Sequence, residues 1–469
     1  MQHLRSDLNL RDLLNKYDMC GPRYTSYPTA LHFDSAFSEL DYLRHVDESN
    51  QYLVPKPLSL YIHIPFCHSL CYYCGCNKVV THKSNAAETY LEALFEEIEI
   101  KGQQFAGDRL VQQIHFGGGT PTYLSNAQIR EILEAAAQSF HLGLPDELEI
   151  GIEIDPREVD EDKLKGLIRL GINRVSVGVQ DFDPEVQKAI NRIQSEESVK
   201  QVLDISKSAG VDSVSFDLIY GLPKQTKQTL LQSIERVVDL KPDRIALYNY
   251  AHMPQTISAQ RLILSEDLPS PSEKIDMLIS SIEKLKAAGY VYIGMDHFAL
   301  PSDSLCKAMD NAKLQRNFQG YSTHAECDIV GLGVSAISRI NHSYSQNEVK
   351  LSNYKERLAK AQLPINKGLS LSNDDRIRAS IIQQLMCSGD VNFQEVEYEW
   401  NIDFGHYFGS ELDRLNTFAN DQLVKLSESD IRVTDIGKLF LRNIAMVFDA
   451  YFHQASMHAG SSNRYSRTV

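Results

Sequence analysis

The stretch Tyr61-Ile62-His63-Ile64-Pro65-Phe66-Cys67-His68-Ser69-Leu70-Cys71-Tyr72-Tyr73-Cys74-Gly75-Cys76 constrains this chain more than any other. Four of the eight cysteines fall within it, and three of those are spaced C-x3-C-x2-C. Packing does not call for thiols at that density, whereas close thiolates hold a soft metal centre. A structural zinc site takes four tetrahedral ligands, usually from two separated pairs. Cys76 or His68 could supply a fourth ligand here, but no distant pair is visible, because Cys20, Cys306, Cys327 and Cys387 are isolated. Disulfides fit less well in a chain that reads as reduced and intracellular. An iron–sulfur cluster takes about one cysteine per iron, so three cysteines on a short loop would leave one iron for a ligand that is not protein.

Around this loop, apolar runs alternate with helical periodicity. Strands are expected at 58–64, 111–116, 148–154, 173–179, 211–219 and 244–250. Helices are expected at 85–105, 126–140, 159–170, 183–193, 195–209 and 226–239, with Ser195 as a helix cap. Such alternation implies parallel pairing with helices outside. Closed barrels and doubly wound sheets both satisfy it, and both put ligands at the carboxyl ends of the strands. Cys67, Gly118, Glu153, Gln180, Asp217 and Ala251 stand at or just beyond those ends, so they should share one mouth. Gly117-Gly118-Gly119-Thr120-Pro121 lets backbone approach a polar ligand. It is not G-x-G-x-x-G, which speaks against a dinucleotide fold.

Cys67-x3-Cys71-x2-Cys74 after an apolar strand resembles the radical S-adenosylmethionine superfamily. The finer resemblance is to the oxygen-independent coproporphyrinogen III oxidase family. It rests on Gly21-Pro22-Arg23-Tyr24-Thr25-Ser26-Tyr27-Pro28-Thr29, on Tyr61 to Phe66, on Cys76 in a C-x-C, and on Gly117 to Leu124. It runs from about residue 20 to the last helical stretch. The fold it implies is α/β, a partial (β/α)6 TIM-like barrel open on one side. An N-terminal arm (1–50) precedes a barrel with its extension (51–365, core about 52–288), and a mainly helical, winged-helix-like domain follows (366–469).

The same resemblance implies a [4Fe-4S] cluster held by Cys67, Cys71 and Cys74, and two molecules of S-adenosylmethionine. It places Tyr61, Tyr73, Gly118, Gly119, Thr120 and Glu153 at the first molecule, with Ile337 against its adenine. Gln180, Arg192, Asp217 and Ala251 go to the second. Tyr61, His63 and Cys76 become candidate catalytic residues, and Arg23 a candidate substrate ligand. Without the resemblance, Gln180, Arg192 and Asp217 read only as polar residues of a barrel mouth, and Arg192 reads as half of an ordinary salt bridge. The implied reaction is the oxygen-free oxidative decarboxylation of two propionates of coproporphyrinogen III to vinyl groups. Rivals in the superfamily are a haem-binding chaperone and a haem-opening radical enzyme; a zinc-binding structural protein is the rival from another class. A low-potential donor of the flavodoxin or ferredoxin type and a monomeric state are expected.

A net charge of −15 disfavours nucleic acid and anionic membranes as partners. It also means that cations must be concentrated locally for a substrate with four carboxylates, which draws attention to Arg23, Arg174 and Arg192. No apolar run is long enough to span a membrane, and Met1 to Asp7 lacks a signal peptide's apolar core, so the cytoplasm is expected. Residues 1–18 read as an amphipathic helix, 20–34 as an ordered arm, 270–288 as a helix, 290–296 as an added strand and 300–326 as irregular. Asp328 to Ser338 reads as a packed turn. Helices are expected at 374–388, 393–398, 404–418 and 434–450, a hairpin at 421–433, and a mobile tail after 454.

Overall fold

The structure, a computed structural model, describes residues 10–468 except 84, 325 and 458–464. Six parallel strands form its centre: β1 (Leu58–Ile64), β2 (Leu110–Gly118), β3 (Glu149–Ile154), β4 (Arg174–Gln180), β5 (Ser213–Tyr220) and β6 (Arg244–Asn249). They pair in chain order, each parallel to the next. The two-residue period of a strand sorts their side chains. Leu60, Ile62, Ile114, Phe116, Ile152, Val177, Phe216 and Leu247 face outward and are buried beneath the helices, against Leu94, Ile98, Ile132, Leu167, Val202 and Ile234. Burying each such side chain contributes about 1.5–3 kcal/mol.

The opposite face looks inward and is polar. Gln113, His115, Glu149, Glu153, Arg174, Ser176, Ser213, Ser215 and Asp217 line cavities there, with the small residues Gly151 and Ala246. A closed eight-stranded barrel fills this space with branched apolar side chains. Here the sheet does not close. Beyond β6 come β7 (Val291–Gly294) and β8 (His297–Ala299), an antiparallel hairpin whose second strand pairs with β6. Beyond β1 come β9 (Asp328–Leu332), β10 (Ile337–Ile340), β11 (Ser343–Asn347) and β12 (Ile365–Ser370). β9 is parallel to β1, and the rest are antiparallel. The result is a partial barrel, its polar interior reachable from one side.

Several expectations need correction. Residues 300–326 are not irregular: they hold the helix Ser304–Asp310 and a hairpin, Gln315–Asn317 with Gly320–Ser322. Asp328 to Ser338 is not a packed turn but a strand beside β1 and the start of the next. The short runs and Gly residues there hide the period from a sequence reading. The expected strand at 290–296 is a hairpin, broken by Met295 and Asp296 at positive φ. The expected helix at 434–450 is three pieces, Gly437–Phe440, Leu441–Met446 and Ala450–Met457. Asp449, whose carboxylate accepts from the Phe452 amide, starts the last one anew. The N-terminal helix covers Leu10–Tyr17, and its first expected residues lie outside the described ones.

A second apolar core joins Ile377, Ile381, Leu385, Phe393, Phe404, Phe408, Leu415, Ile431 and Phe440. Phe393 stacks on Phe404 with ring centroids 4.0 Å apart. The strands Asp390–Asn392, Asp430–Val433 and Val424–Leu426 form a small antiparallel sheet beside these helices, the winged-helix-like arrangement. Leu13, Leu14, Tyr17, Tyr24 and Tyr27 belong to the same core, so the N-terminal arm is built into this unit. The tail expected to be mobile is partly fixed. Gly21 donates to the Ser466 carbonyl at 3.0 Å and Thr468 to that of Met19 at 2.7 Å. Buried Arg442 binds the carbonyls of Gly21, Pro22, Ser466 and Arg467, fastening arm and tail together. The rest of that tail, 458–464, lies outside the described residues. No described helix is long and apolar enough to cross a membrane.

Candidate active site

Pro65 and the short strand Phe66–Cys67 carry the chain out of β1 into the cysteine loop. Cys67 and Cys71 are buried, and none of the cysteines is in a disulfide. The glycine run at the end of β2 lies directly alongside. Gly119 donates to the Ile64 carbonyl and Thr120 to that of Phe66, each at 2.8 Å. Added Cβ atoms would collide with Glu153 at Gly117, with His63 at Gly118 and with backbone oxygens of Pro65 and Phe66 at Gly119. Gly118 also sits at φ +116°, a conformation that L side chains rarely adopt. The run is therefore needed first for close packing against β1 and the loop.

The sulfurs are met by donors. The Thr120 hydroxyl is 3.4 Å from Cys67 Sγ, and guanidinium nitrogens of Arg157 and Arg192 are each 3.7 Å from Cys71 Sγ. A hydrogen bond from Cys76 draws the Cys74 thiol down to about 6, helped by Lys78. Cys76 itself is pushed up by that same bond. Burial pushes Cys67 up to about 11. Cationic and hydroxyl donors aimed at a trio of thiols suit a group that carries charge on sulfur. Among the described residues, no three His, Cys, Asp or Glu side chains converge on a single-ion site. Three thiols from one short loop fit a cluster, which takes about one cysteine per iron.

Behind Cys71 stands a buried ionic knot. Asp155 accepts from Arg157 at 2.7 Å and from Arg192 at 2.8 Å, and Arg192 also donates to the Gly178 carbonyl at 2.7 Å. The two guanidinium groups outweigh burial and hold Asp155 below the usual carboxylate range. Gln180 ends β4 at φ 64°, where the register with β5 slips, and it lines the cavity. Such a backbone in a non-glycine residue clusters at functional sites.

Cys67, Cys71, Tyr73, Cys74, Cys76, Gly118, Gly119, Thr120, Glu153, Gln180, Arg192 and Asp217 line one cavity of about 180 Å³. A second, of about 150 Å³, continues down the barrel and shares Glu153, Ser176 and Asp217 with the first. Together they reach the size range of small-molecule sites. Tyr61 and His63 share a face as expected. The Tyr61 ring lies parallel to that of His115, and its hydroxyl is 3.3 Å from His63 Nδ1. His63 Nε2 is 3.0 Å from the Asn77 carbonyl. A carbonyl only accepts, so Nε2 carries the proton and Nδ1 accepts from Tyr61. Burial lowers the His63 pKa, which favours this neutral form. Asp217 is pushed up to about 7 by burial and by the Glu153 carboxylate, although Ser176 donates to it at 3.0 Å.

Three candidates lie elsewhere. Ala251 lines a different cavity, with Cys20, His252 and Tyr465. Ile337 sits on β10, and its carbonyl abuts Gly331. Arg23 pairs with Asp296 at 2.7 Å and lies over the Tyr248 ring, at the lower cavity. Arg174, whose position drew attention through its charge, pairs with Glu149 at 2.5 Å. Asp155 and Arg157 escaped the sequence reading. Their signal was the Glu153-Ile154-Asp155-Pro156-Arg157 run at a strand end, where Asp155 lines the same cavity as Glu153.

A partial barrel whose first strand delivers three thiols beside a glycine run defines a radical S-adenosylmethionine protein, and the Radical SAM superfamily pattern matches residues 61–237. More narrowly, the chain belongs to the oxygen-independent coproporphyrinogen III oxidase family. It is 46% identical over 458 residues to the oxygen-independent coproporphyrinogen III oxidase of Pseudomonas aeruginosa, covering 98% of each chain. It is 46% identical to that of Escherichia coli, covering 94% of this chain and 95% of the relative. The solved coproporphyrinogen III oxidase of Escherichia coli, described as a radical SAM enzyme, superposes with a TM-score of 0.90 at 45% identity, covering 95% of this chain and 99% of that one. The family's [4Fe-4S] cluster and S-adenosylmethionine are thus cofactors of this chain too.

Proposed function

We propose that this chain converts two propionate side chains of coproporphyrinogen III to vinyl groups without oxygen, giving protoporphyrinogen IX and two carbon dioxide. The reading rests on the near full-length family membership and on one observation above all: the cysteine loop and the polar inner face of the sheet open into the same cavity. When bound, the cluster and S-adenosylmethionine supply the means of removing a hydrogen atom from an unactivated carbon; orientation and exclusion of water fall to the protein.

Cys67, Cys71 and Cys74 would hold the cluster, with Thr120, Arg157 and Arg192 donating to their sulfurs. Glu153 is a carboxylate acceptor for ribose hydroxyls. Tyr61, Tyr73, Gly118, Gly119 and Thr120 would frame the first S-adenosylmethionine, and Gln180, Arg192 and Asp217 a second; Ile337 and Ala251, which lie outside that cavity, are assigned to the first and the second on the family resemblance alone. His63 fixes the Tyr61 hydroxyl, and Cys76 keeps Cys74 ready to ligate. Arg23 would exchange Asp296 for a substrate carboxylate. A low-potential donor of the flavodoxin or ferredoxin type would supply the electron that starts each S-adenosylmethionine cleavage, the electron given up at each decarboxylation would pass to an acceptor, and the chain works as a cytoplasmic monomer.

The test is product analysis of coproporphyrinogen III incubated with the iron-loaded protein, S-adenosylmethionine and a reductant under nitrogen. Two vinyl groups, with two 5′-deoxyadenosines formed per product, are expected. A tetrapyrrole recovered with all four propionates, or haem opened in a parallel incubation, overturns the assignment.

A further inference from the structure

Another cavity, of about 390 Å³, lies apart from the site above. It is enclosed by the arm (Tyr24 to Tyr27), by Arg339 to Tyr344 at the turn between β10 and β11, by the hairpin residues Arg316 to Phe318, and by helices of the C-terminal unit. It shares no residue with the two barrel cavities. The hairpin separates them: Arg316, Asn317 and Phe318 line this cavity, while Gln319, Tyr321 and Ser322 line the lower barrel cavity. Asn341 and Lys56 place it at the amino ends of β9 and β1, away from the cysteine loop.

Its lining is the reverse of the chain's overall charge. Lys56, Arg316, Arg339 and Arg376 converge on it, against one carboxylate, the exposed Glu399. In a protein of net charge −15 this is a marked local excess of cations. Burial, and after it Arg376 and Lys56, lower the pKa of His342, also on the wall, to about 4. Between them are the flat faces of Tyr24, Phe318, Tyr344 and Trp400. The Arg376 guanidinium lies 5.1 Å from the centre of the Trp400 ring, and the buried indole Nε1 of Trp400 has no hydrogen-bond partner among the described residues. A buried donor of that kind calls for an acceptor. Arginine forks suit planar carboxylates, and aromatic faces suit a planar or ruffled ring.

We propose that this cavity is a second, non-catalytic site that takes the propionate-bearing edge of a tetrapyrrole, with Lys56, Arg339 and Arg376 on the carboxylates and Trp400 beside the ring. The inference rests on the tetrapyrrole reading above. The arm joins the two places, because Arg23 lies over the ring of Tyr248, a wall residue of the lower barrel cavity, and Tyr24 lines this one. A tetrapyrrole seated here is held next to the segment that also reaches the barrel interior, where substrate would wait or product would pause.

Coproporphyrin III, the stable oxidised ring with the same four carboxylates, is the probe. Equilibrium dialysis against the iron-loaded protein should show two binding sites. Lys56→Glu with Arg376→Glu, both on solvent-accessible side chains, should weaken one of them by about tenfold or more, the scale of losing a charge-assisted hydrogen bond. The other site, and cleavage of S-adenosylmethionine, should be unchanged. Etioporphyrin, which lacks carboxylates, should leave this site empty. A single site on the wild-type protein, or two sites indifferent to the double substitution, overturns the inference. A protein that forms vinyl product yet shows one site loses this inference alone; one that shows two sites but forms no vinyl product loses the substrate reading instead.

Discussion

Two buried charged networks flank β1, and they are built differently. On the helix side, Glu97 and Lys101 are fully buried and 2.8 Å apart. Lys101 also donates to the Gly331 carbonyl and to Asn347, while Glu97 accepts from the Gly333 amide, Asn347 and Tyr354. Tyr90, beside them, donates to the His63 carbonyl at 2.5 Å. The network ties the helix Asn85–Gly102 to the turn after β9 and the back of β1. On the cavity side, Asp155 and Arg192 are also buried and Arg157 is half-buried, but the leftover capacity of the two arginines points at Cys71 Sγ, and Arg192 Nε has no partner among the described residues. A fully satisfied network fixes a fold; one that is satisfied except toward a cavity is set for what enters it.

The largest effect that this contrast predicts is at the sulfurs themselves. Replacing Cys67, Cys71 or Cys74 with Ser should remove cluster loading and activity together, seen as loss of iron and of the broad visible absorption in anaerobically purified protein. Full iron content in any of the three would contradict the ligand assignment. The helix-side network should behave in the opposite way. Lys101→Met strands a buried carboxylate, a change that costs about 3–5 kcal/mol. The urea midpoint should fall sharply, while S-adenosylmethionine cleavage per iron in the folded fraction stays at the wild-type level. A fall in that specific activity at unchanged folding would mean that the strut also tunes the site.

Asp155→Asn tests the cavity side. It removes the charge that both arginines share, so stability should fall, and iron content should fall with it because the donors to Cys71 lose their anchor. If stability drops while iron loading holds, the knot is structural and the contrast fails. Arg23→Ala comes next. Its partner Asp296 is half-buried, so folding should be little affected. The Michaelis constant for coproporphyrinogen III should rise by about tenfold, the scale of one charge-assisted hydrogen bond, with cosubstrate cleavage intact. An unchanged constant takes Arg23 out of the substrate site.

The same contrast explains what could be read in advance. The six parallel strands were legible because their outward faces are long apolar runs in phase with the turns. The thiol trio was legible because its spacing is local, and Glu153, Gln180 and Asp217 because a parallel sheet gathers strand ends at one mouth. The Glu97–Lys101–Asn347 network was not legible: an i, i+4 Glu–Lys pair on a helix looks like a surface pair, and nothing local says that strands from 328 onward will bury it. Arg192 illustrates the limit from the other side. Its ionic partner was foreseen as the ordinary alternative, but its contact with sulfur depends on the chain's return from residue 155 to residue 192. Ala251 and Ile337 rest on the resemblance alone, since their side chains carry no local chemistry.

The smallest effect concerns Asp217, the one carboxyl at the mouth pushed up to about 7, by burial and then by Glu153. Ser176, Arg192 and His115 favour its charged form but do not overcome those two. In the folded protein it keeps its proton up to that pH, whereas in the unfolded chain it releases it near the ordinary value of about 3.9. Between the two values the folded state binds more protons, so this group's contribution to stability is complete below about pH 4 and is lost as pH rises through about 7. Asp217→Asn removes the titration. The difference in urea midpoint between about pH 5 and about pH 8 should shrink in the variant relative to the wild type. If the two proteins lose stability equally over that interval, Asp217 is ionised throughout, and the cavity side is less open to proton exchange than its unfilled hydrogen bonds require.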